Sequence, residues 1–116
     1  MVVVNALIDE KARAAVSVLA QRAHVSAAYL FGSQVEGSTD EWSDIDVAAF
    51  VENAEQRDLE WRVAACVEAR GQVGDDVELH LFPAESFRNP PRASFAQYIL
   101  KHGIPLDIEG INEEIN

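Results

Sequence analysis

The sequence has a single cysteine, few basic residues and no long apolar run. Because Cys66 has no second cysteine to pair with, an internal disulfide is excluded, and nothing indicates an oxidising compartment. No stretch has the length and apolar character of a transmembrane helix. The short apolar run from Val2 to Val4 lacks the length and basic lead of a signal peptide. We therefore expect a cytoplasmic protein without a membrane-spanning segment.

Positive charge is also scarce, since 9 Lys and Arg residues stand against 20 Asp and Glu residues, for a formal net charge of −11. A surface that binds a nucleic-acid backbone needs a basic footprint, so we expect no nucleic-acid partner. A basic protein partner, or a substrate delivered with metal ions, fits this charge better. The same acidity also serves ordinary solubility.

The 116 residues, 48% of them apolar, are enough for one domain with a modest core. Hydrophobic periodicity predicts helices near residues 5–23, 54–69 and 92–102. Alternating or short apolar runs predict strands near residues 26–31, 44–51 and 77–82. The order α-β-turn-β-α-β-α indicates an α/β fold, with a small mixed sheet backed by helices. We expect one domain over residues 1–105, followed by an acidic tail over residues 106–116.

Two further apolar stripes recur at helical spacing. The stripe predicted to be buried on the second helix comprises Leu59, Val63, Cys66 and Val67. Because Cys66 lies on that stripe, we interpret it as a core residue and not as a nucleophile. The stripe of the tail comprises Ile104, Ile108, Ile111 and Ile115. It predicts either a marginal helix that docks on a partner or a second copy, or a frayed terminus.

The most informative stretch runs from Tyr29 to Val51, where two short motifs stand ten residues apart. Gly32 and Ser33 end the first strand, and Asp44-Ile45-Asp46 opens the second. Side chains at i and i+2 of a strand share a face, so Asp44 and Asp46 point the same way, and the opposite face is apolar. Adjacent like charges need solvent or a cation, and carboxylate oxygens are the ligands that Mg²⁺ prefers. An acidic pair that keeps a sheet edge soluble is the plainer alternative.

A third carboxylate is predicted on the strand near residues 77–82. Its alternation places Glu78, His80 and Phe82 on the face opposite to Val77, Leu79 and Leu81. If its apolar face joins that of the second strand, Glu78 joins the aspartate pair. Asp76 has the same parity as Glu78 and is the alternative.

The pattern Gly32-Ser33, ten residues, Asp44-x-Asp46 resembles the nucleotidyltransferase superfamily that includes DNA polymerase beta. In length the chain is similar to its smallest branch, the minimal nucleotidyltransferases, often the antitoxin half of HEPN–MNT toxin–antitoxin pairs. The resemblance implies the nucleotidyltransferase fold and two Mg²⁺ ions bound by Asp44, Asp46 and Glu78. It also implies that Gly32 and Ser33 bind the triphosphate of ATP. A strand-ending turn with Ser33 as a helix cap is the plainer interpretation of the Gly-Ser pair.

By this resemblance, the chain is a protein adenylyltransferase that moves AMP to a tyrosine of a partner HEPN toxin and so acts as an antitoxin. One alternative is a binding module that inhibits its partner by occlusion. Another is an antibiotic nucleotidyltransferase, although those usually carry an added acceptor domain. Homo- or hetero-oligomerisation stays open. The chain departs from the family at Glu36 and Asp40, where arginine is common, and this predicts weak nucleotide binding.

Overall fold

The computed structural model describes residues 6–32, residue 35 and residues 44–112. The sequence-based expectations for Ser33, Glu36, Asp40 and Ile115 therefore lie outside the described residues. Within the described part, no helix is both long enough and apolar enough to cross a membrane.

The described helices and strands confirm the predicted α/β fold, with a small mixed sheet backed by helices. In chain order the elements are α1 (Ala6–Ala20), β1 (Val25–Phe31), β2 (Ile45–Val51), a 3₁₀ turn (Ala54–Gln56), α2 (Leu59–Val73), β3 (Val77–Pro83), α3 (Glu85–Arg88), α4 (Phe95–His102) and β4 (Ile104–Pro105). The short strand β4 was not predicted. The predicted second helix is divided into the 3₁₀ turn and α2, because Asp58 caps the start of α2. The Trp61 N–H donates to Asp58 Oδ1 at 2.8 Å.

The sheet has the strand order β3-β2-β1-β4. Strand β1 runs antiparallel to both β2 and β4, whereas β2 and β3 are parallel. One face of the sheet packs against α1 and α2 through a core that includes Val16, Leu19, Leu30 and Val47. The other face packs against α4, where Ile99 is fully buried beside Phe50. The parallel pairing of β2 and β3 places the first residues of both strands at the same end of the sheet.

The predicted buried stripe of the second helix is wrong for three of its four members. Leu59, Val63 and Val67 are 75%, 52% and 63% exposed. Helix α2 instead turns Ala65 and Ala69 towards the core, where both are buried. Small alanine side chains let α2 approach α1 closely, so the alanine face is buried, although its apolar content is lower than that of the valine face. Cys66 is half-buried between the two faces.

The predicted helix of the tail is not formed over the described residues. Leu106 and Ile111 are buried in the core of this same chain, and the Leu106 N–H donates to the Ala28 carbonyl at 2.9 Å. Asn112 brackets the start of β1: its Oδ1 accepts from the Val25 N–H at 3.0 Å, and its Nδ2 donates to the Val25 carbonyl at 2.8 Å. Ile111, a member of the stripe for which docking on a partner was one prediction, is thus buried within this chain. The division between residues 105 and 106 stays a prediction.

Candidate active site

The first residues of β2 and β3 bring Asp46 and Glu78 side by side. These two residues are direct partners in the parallel register of the two strands. Ile45 and Val77, which immediately precede Asp46 and Glu78, point to the opposite face and are buried in the core. The predicted alternation is therefore confirmed, and it presents two carboxylates on one face at one end of the sheet.

The face of β2 that carries Asp46 is acidic only at the beginning of the strand. Ala48 and Phe50 follow Asp46 on the same face and are fully buried against α4. The acidic residues thus lie where β2 emerges from beneath that helix. On this face of β2, a charged group is therefore found only at the beginning of the strand, at Asp46.

His80 completes a group of three potential metal ligands with Asp46 and Glu78. One donor atom from each residue lies within 4.8 Å of the other two. The His80 Nε2 atom is 3.2 Å from Asp46 Oδ1, and these side chains are 28% and 22% exposed. Ligand atoms in neighbouring positions around one octahedral ion lie about 3.0 Å apart when the metal–ligand distance is about 2.1 Å. Donor chemistry and spacing therefore both fit a divalent cation.

Gly32 gives Asp46 the space that it occupies. Its φ of +79° lies in the left-handed region that favours glycine. A Cβ atom at this position would stand 2.5 Å from Asp46 Oδ2. The Gly32 carbonyl accepts from the Val35 N–H at 3.0 Å, so the chain turns immediately after β1. The glycine predicted to approach a triphosphate thus also borders the acidic group directly.

The other two candidate aspartates each immediately precede one of the two strands. Asp44 lies immediately before β2 and is exposed, and it is not a member of the three-residue group. Both carboxylate oxygens of Asp76 are 2.7 Å from Lys11 Nζ on α1. This ion pair directs Asp76 towards α1, whereas Glu78 lies beside Asp46. Of the two alternatives for the third carboxylate, the geometry favours Glu78.

Aromatic rings flank the three-residue group on the side of α4. The Phe31 ring meets the His80 ring edge-on, with centroids 4.9 Å apart. Phe95 lies 6.5 Å from His80 by the same measure and is 51% exposed. An exposed ring beside charged groups offers a surface on which a planar base can stack.

His80 is the member of the group that sequence reasoning did not assign. Strand alternation had already placed it on the face of Glu78, two residues further along. The sequence does not give the register between β2 and β3, and this register decides which residues lie beside His80. In the structure Asp46 lies opposite Glu78, and Ala48, which has a small side chain, lies opposite His80. The imidazole can therefore lean across Ala48 towards Asp46.

A concave and largely apolar surface lies between α2 and Leu81 of β3. We call it the α2 groove. It has a volume of about 320 Å³ and is lined by Leu59, Arg62, Val63, Cys66, Val67, Arg70 and Leu81. The Cys66 thiol donates to the Leu79 carbonyl at 3.4 Å, and burial raises the pKa of this thiol. A raised pKa lowers the thiolate fraction, which agrees with the interpretation of Cys66 as a packing residue.

Comparison with known protein families identifies the family of this chain. The family model described as Polymerase beta, Nucleotidyltransferase matches residues 14–106. This span includes β1, the Gly32 turn, β2, α2, β3 and α4. Comparisons with curated proteins and with solved structures found no match.

Proposed function

We propose that this chain, which belongs to the polymerase beta nucleotidyltransferase family, transfers AMP from ATP to a hydroxyl group on a partner protein. Nucleotidyl transfer is the activity of that family. The observation that supports its use here is the convergence of Asp46 and Glu78 beside the Gly32 turn. The Gly32 turn follows β1 and lies beside these carboxylates. Negatively charged metal ligands therefore lie next to a backbone that can approach phosphates closely.

In this proposal each described residue has a separate task. Asp46 and Glu78 bind Mg²⁺ or a related divalent cation, with Asp44 contributing a further carboxylate from the residue before Ile45. The bound cation neutralises phosphate charge, which is the main requirement of phosphoryl and nucleotidyl transfer. Gly32, together with Ser33, orients the triphosphate through backbone N–H groups. Phe95 offers its exposed face to the adenine ring.

The proposed acceptor is a tyrosine of a HEPN-family toxin, so that modification of the toxin makes this chain an antitoxin. The proposal rests on the spacing of Gly32-Ser33 and Asp44-x-Asp46, which is similar to that of minimal nucleotidyltransferases. The described core is filled by α1, α2 and α4 around one small sheet. A protein acceptor would bring its own tyrosine and supporting surface to the exposed acidic end.

The α2 groove favours a second candidate function, inhibition of the partner by binding alone. Two arginines and no carboxylate line this groove, although the chain has a net charge of −11. Such a surface suits an amphipathic helix that carries acidic residues beside its apolar stripe. A second copy of this chain fits less well, because the arginine flanks of two identical grooves would meet across a two-fold axis.

Intact-mass analysis of the co-expressed neighbouring gene product separates the two functions. We expect a mass gain of one adenylyl group with the unaltered chain and no gain with Asp46→Asn. Asp76→Asn is the matched control, because it removes the same charge from a carboxylate that pairs with Lys11 instead; it should leave the mass gain in place. Inhibition of the partner without any mass gain would select the binding module and reject nucleotidyl transfer.

A further inference from the structure

We propose that His80 is itself a metal ligand, and that the site therefore prefers a first-row transition-metal ion such as Mn²⁺ to Mg²⁺. The inference rests on the proposed function only in that it concerns the same cation site. It adds a nitrogen donor to a set that the sequence pattern defined by carboxylates alone. The donor set becomes two oxygens and one nitrogen, from Asp46, Glu78 and His80.

Geometry is the first argument. His80 Nε2 and Asp46 Oδ1 are 3.2 Å apart, which matches neighbouring ligands on one ion with a metal–ligand distance of about 2.2 Å. The donor atom of Glu78 also lies within 4.8 Å of both. Three donors within 4.8 Å of one another are close enough to converge on one ion, which leaves its other coordination positions to phosphate oxygens or water.

The surroundings of the imidazole are the second argument. Phe31 packs edge-on against the ring, and Phe95 lies on the same side. Beside these apolar contacts, the Nε2 atom of the ring faces Asp46, 3.2 Å from its Oδ1 atom. A histidine that binds a metal needs a fixed orientation, because a freely rotating ring loses affinity through conformational entropy.

Ligand chemistry is the third argument, and it gives the preference for the metal. Mg²⁺ is a hard cation that binds oxygen and dehydrates reluctantly, so a nitrogen donor adds little to its binding. Imidazole binds transition-metal ions more readily. Loss of His80 should therefore weaken binding of Mn²⁺ far more than binding of Mg²⁺.

The test measures metal binding directly, without nucleotide or acceptor. Mn²⁺ is titrated into the full chain, and free Mn²⁺ is followed by electron paramagnetic resonance, with Mg²⁺ as the competitor. Electron spin-echo modulation then reports whether a ¹⁴N nucleus is coupled to the bound Mn²⁺. The variants are His80→Gln and Asp46→Asn, with His24→Gln as the matched control. His24 lies at the opposite end of the sheet, where its carbonyl accepts from the Glu52 N–H at 3.0 Å.

We expect ¹⁴N modulation in the unaltered chain and in His24→Gln, and its loss in His80→Gln together with a fall in Mn²⁺ affinity of about 10-fold or more. Bound Mn²⁺ without ¹⁴N coupling in the unaltered chain would overturn the inference, even if His80→Gln did not fold. Equal Mn²⁺ affinity of His80→Gln and the unaltered chain would also overturn it. These outcomes leave the carboxylate site of the proposed function intact, whereas undiminished Mn²⁺ binding by Asp46→Asn would remove that site itself.

Discussion

Gly32 is the residue at which backbone conformation and the acidic group constrain each other. Its positive φ strains any residue with a side chain, and the space that a Cβ atom would need is filled by the Asp46 carboxylate. Gly110 has a similar φ of +86°, but a Cβ atom there would meet nothing within 4 Å. Comparing alanine substitutions at the two glycines therefore separates the free-energy cost of a positive φ from the cost of the contact with Asp46.

Gly32→Ala should destabilise the fold more than Gly110→Ala does, and it should also weaken metal binding. We expect Gly110→Ala to lower the free energy of unfolding by about 1–2 kcal/mol, the cost of the left-handed conformation alone. Gly32→Ala should cost more and should weaken binding of divalent cations, because Asp46 must move. Denaturant unfolding and Mn²⁺ titration measure the two effects. Equal metal affinity of Gly32→Ala and the unaltered chain would show that the Asp46 carboxylate does not need its present position.

Strand alternation predicted a shared face for Asp46 and Glu78, and it applies because both lie inside strands, where alternation fixes the side-chain direction. It does not apply to Asp44, which precedes β2, so the role of Asp44 in the site stays a prediction. It could not decide between Glu78 and Asp76, since that choice depends on Lys11, which is 65 positions from Asp76 in the chain. His80 was missed for a related reason: its neighbour across the strands is set by register, which the sequence does not state.

At the scale of the element, α2 shows why apolar spacing alone does not identify a buried face. The valine stripe and the alanine face both recur at helical spacing, and the larger side chains suggested burial of the valines. Close packing of α2 on α1 instead selects the face with the smaller side chains, Ala65 and Ala69. The order of α1, β1, β2, α2, β3 and α4 could be predicted, whereas the short elements α3 and β4 were not. The rotation of α2 about its axis depends on the neighbouring helix, which the sequence pattern does not include.

Replacing the exposed valines of α2 with threonine should leave stability almost unchanged. Threonine matches the volume of valine but carries a hydroxyl group, which is costly only when it is buried. We expect Val63→Thr with Val67→Thr to alter the free energy of unfolding by less than about 0.5 kcal/mol for each residue. Ala65→Leu is the control: it overpacks the contact with α1 and should cost about 1–3 kcal/mol. Large destabilisation by the threonine pair would mean that the stripe is covered in solution.

The same threonine pair tests the α2 groove as a binding surface. If the partner docks there, its affinity should fall, because two exposed valines no longer contribute apolar area. Co-purification with the neighbouring gene product measures this loss. Unchanged affinity would place the partner elsewhere, with the exposed acidic end of the sheet as the next surface to test.

The contact of Arg88 with Glu52 joins α3 to the end of β2 and should make stability depend on pH. Arg88 Nη1 is 2.9 Å from Glu52 Oε2, and hydrogen bonds from Arg88 and Ser26 lower the pKa of Glu52 from 4.5 to about 2. A lowered carboxyl pKa means that the stabilisation is present above pH 4.5 and is lost as the pH falls towards 2. A double-mutant cycle of Glu52→Gln and Arg88→Gln should show coupling at pH 7 that fades through this window. Coupling that persists below pH 2 would show that the contact does not depend on the charge of Glu52.

At the scale of the whole molecule, net charge sets how a nucleotide reaches the acidic end of the sheet. The chain carries −11, and a Mg²⁺-bound triphosphate is itself an anion, so the long-range interaction is repulsive. Glu36 and Asp40, which lie outside the described residues, are part of this negative charge. Metal ions reverse the local field only at contact, within the group of Asp46, Glu78 and His80.

Association of Mg²⁺–ATP should therefore become faster as monovalent salt is added, opposite to the behaviour of a protein with a basic nucleotide site. Salt shortens the Debye length to about 10 Å at 0.1 M and screens the repulsion that the nucleotide meets before contact. We expect the association rate constant, measured by stopped-flow with a fluorescent ATP analogue at fixed Mg²⁺, to rise about two- to tenfold between low and physiological salt.

Glu10→Lys with Glu109→Lys is the matched test, since both residues are exposed and neither belongs to the three-residue metal group. This double variant should associate faster at low salt and depend less on salt. Association that slows with added salt would show that a local positive surface outweighs the net charge, and the nucleotide would then have to bind away from the acidic end of the sheet.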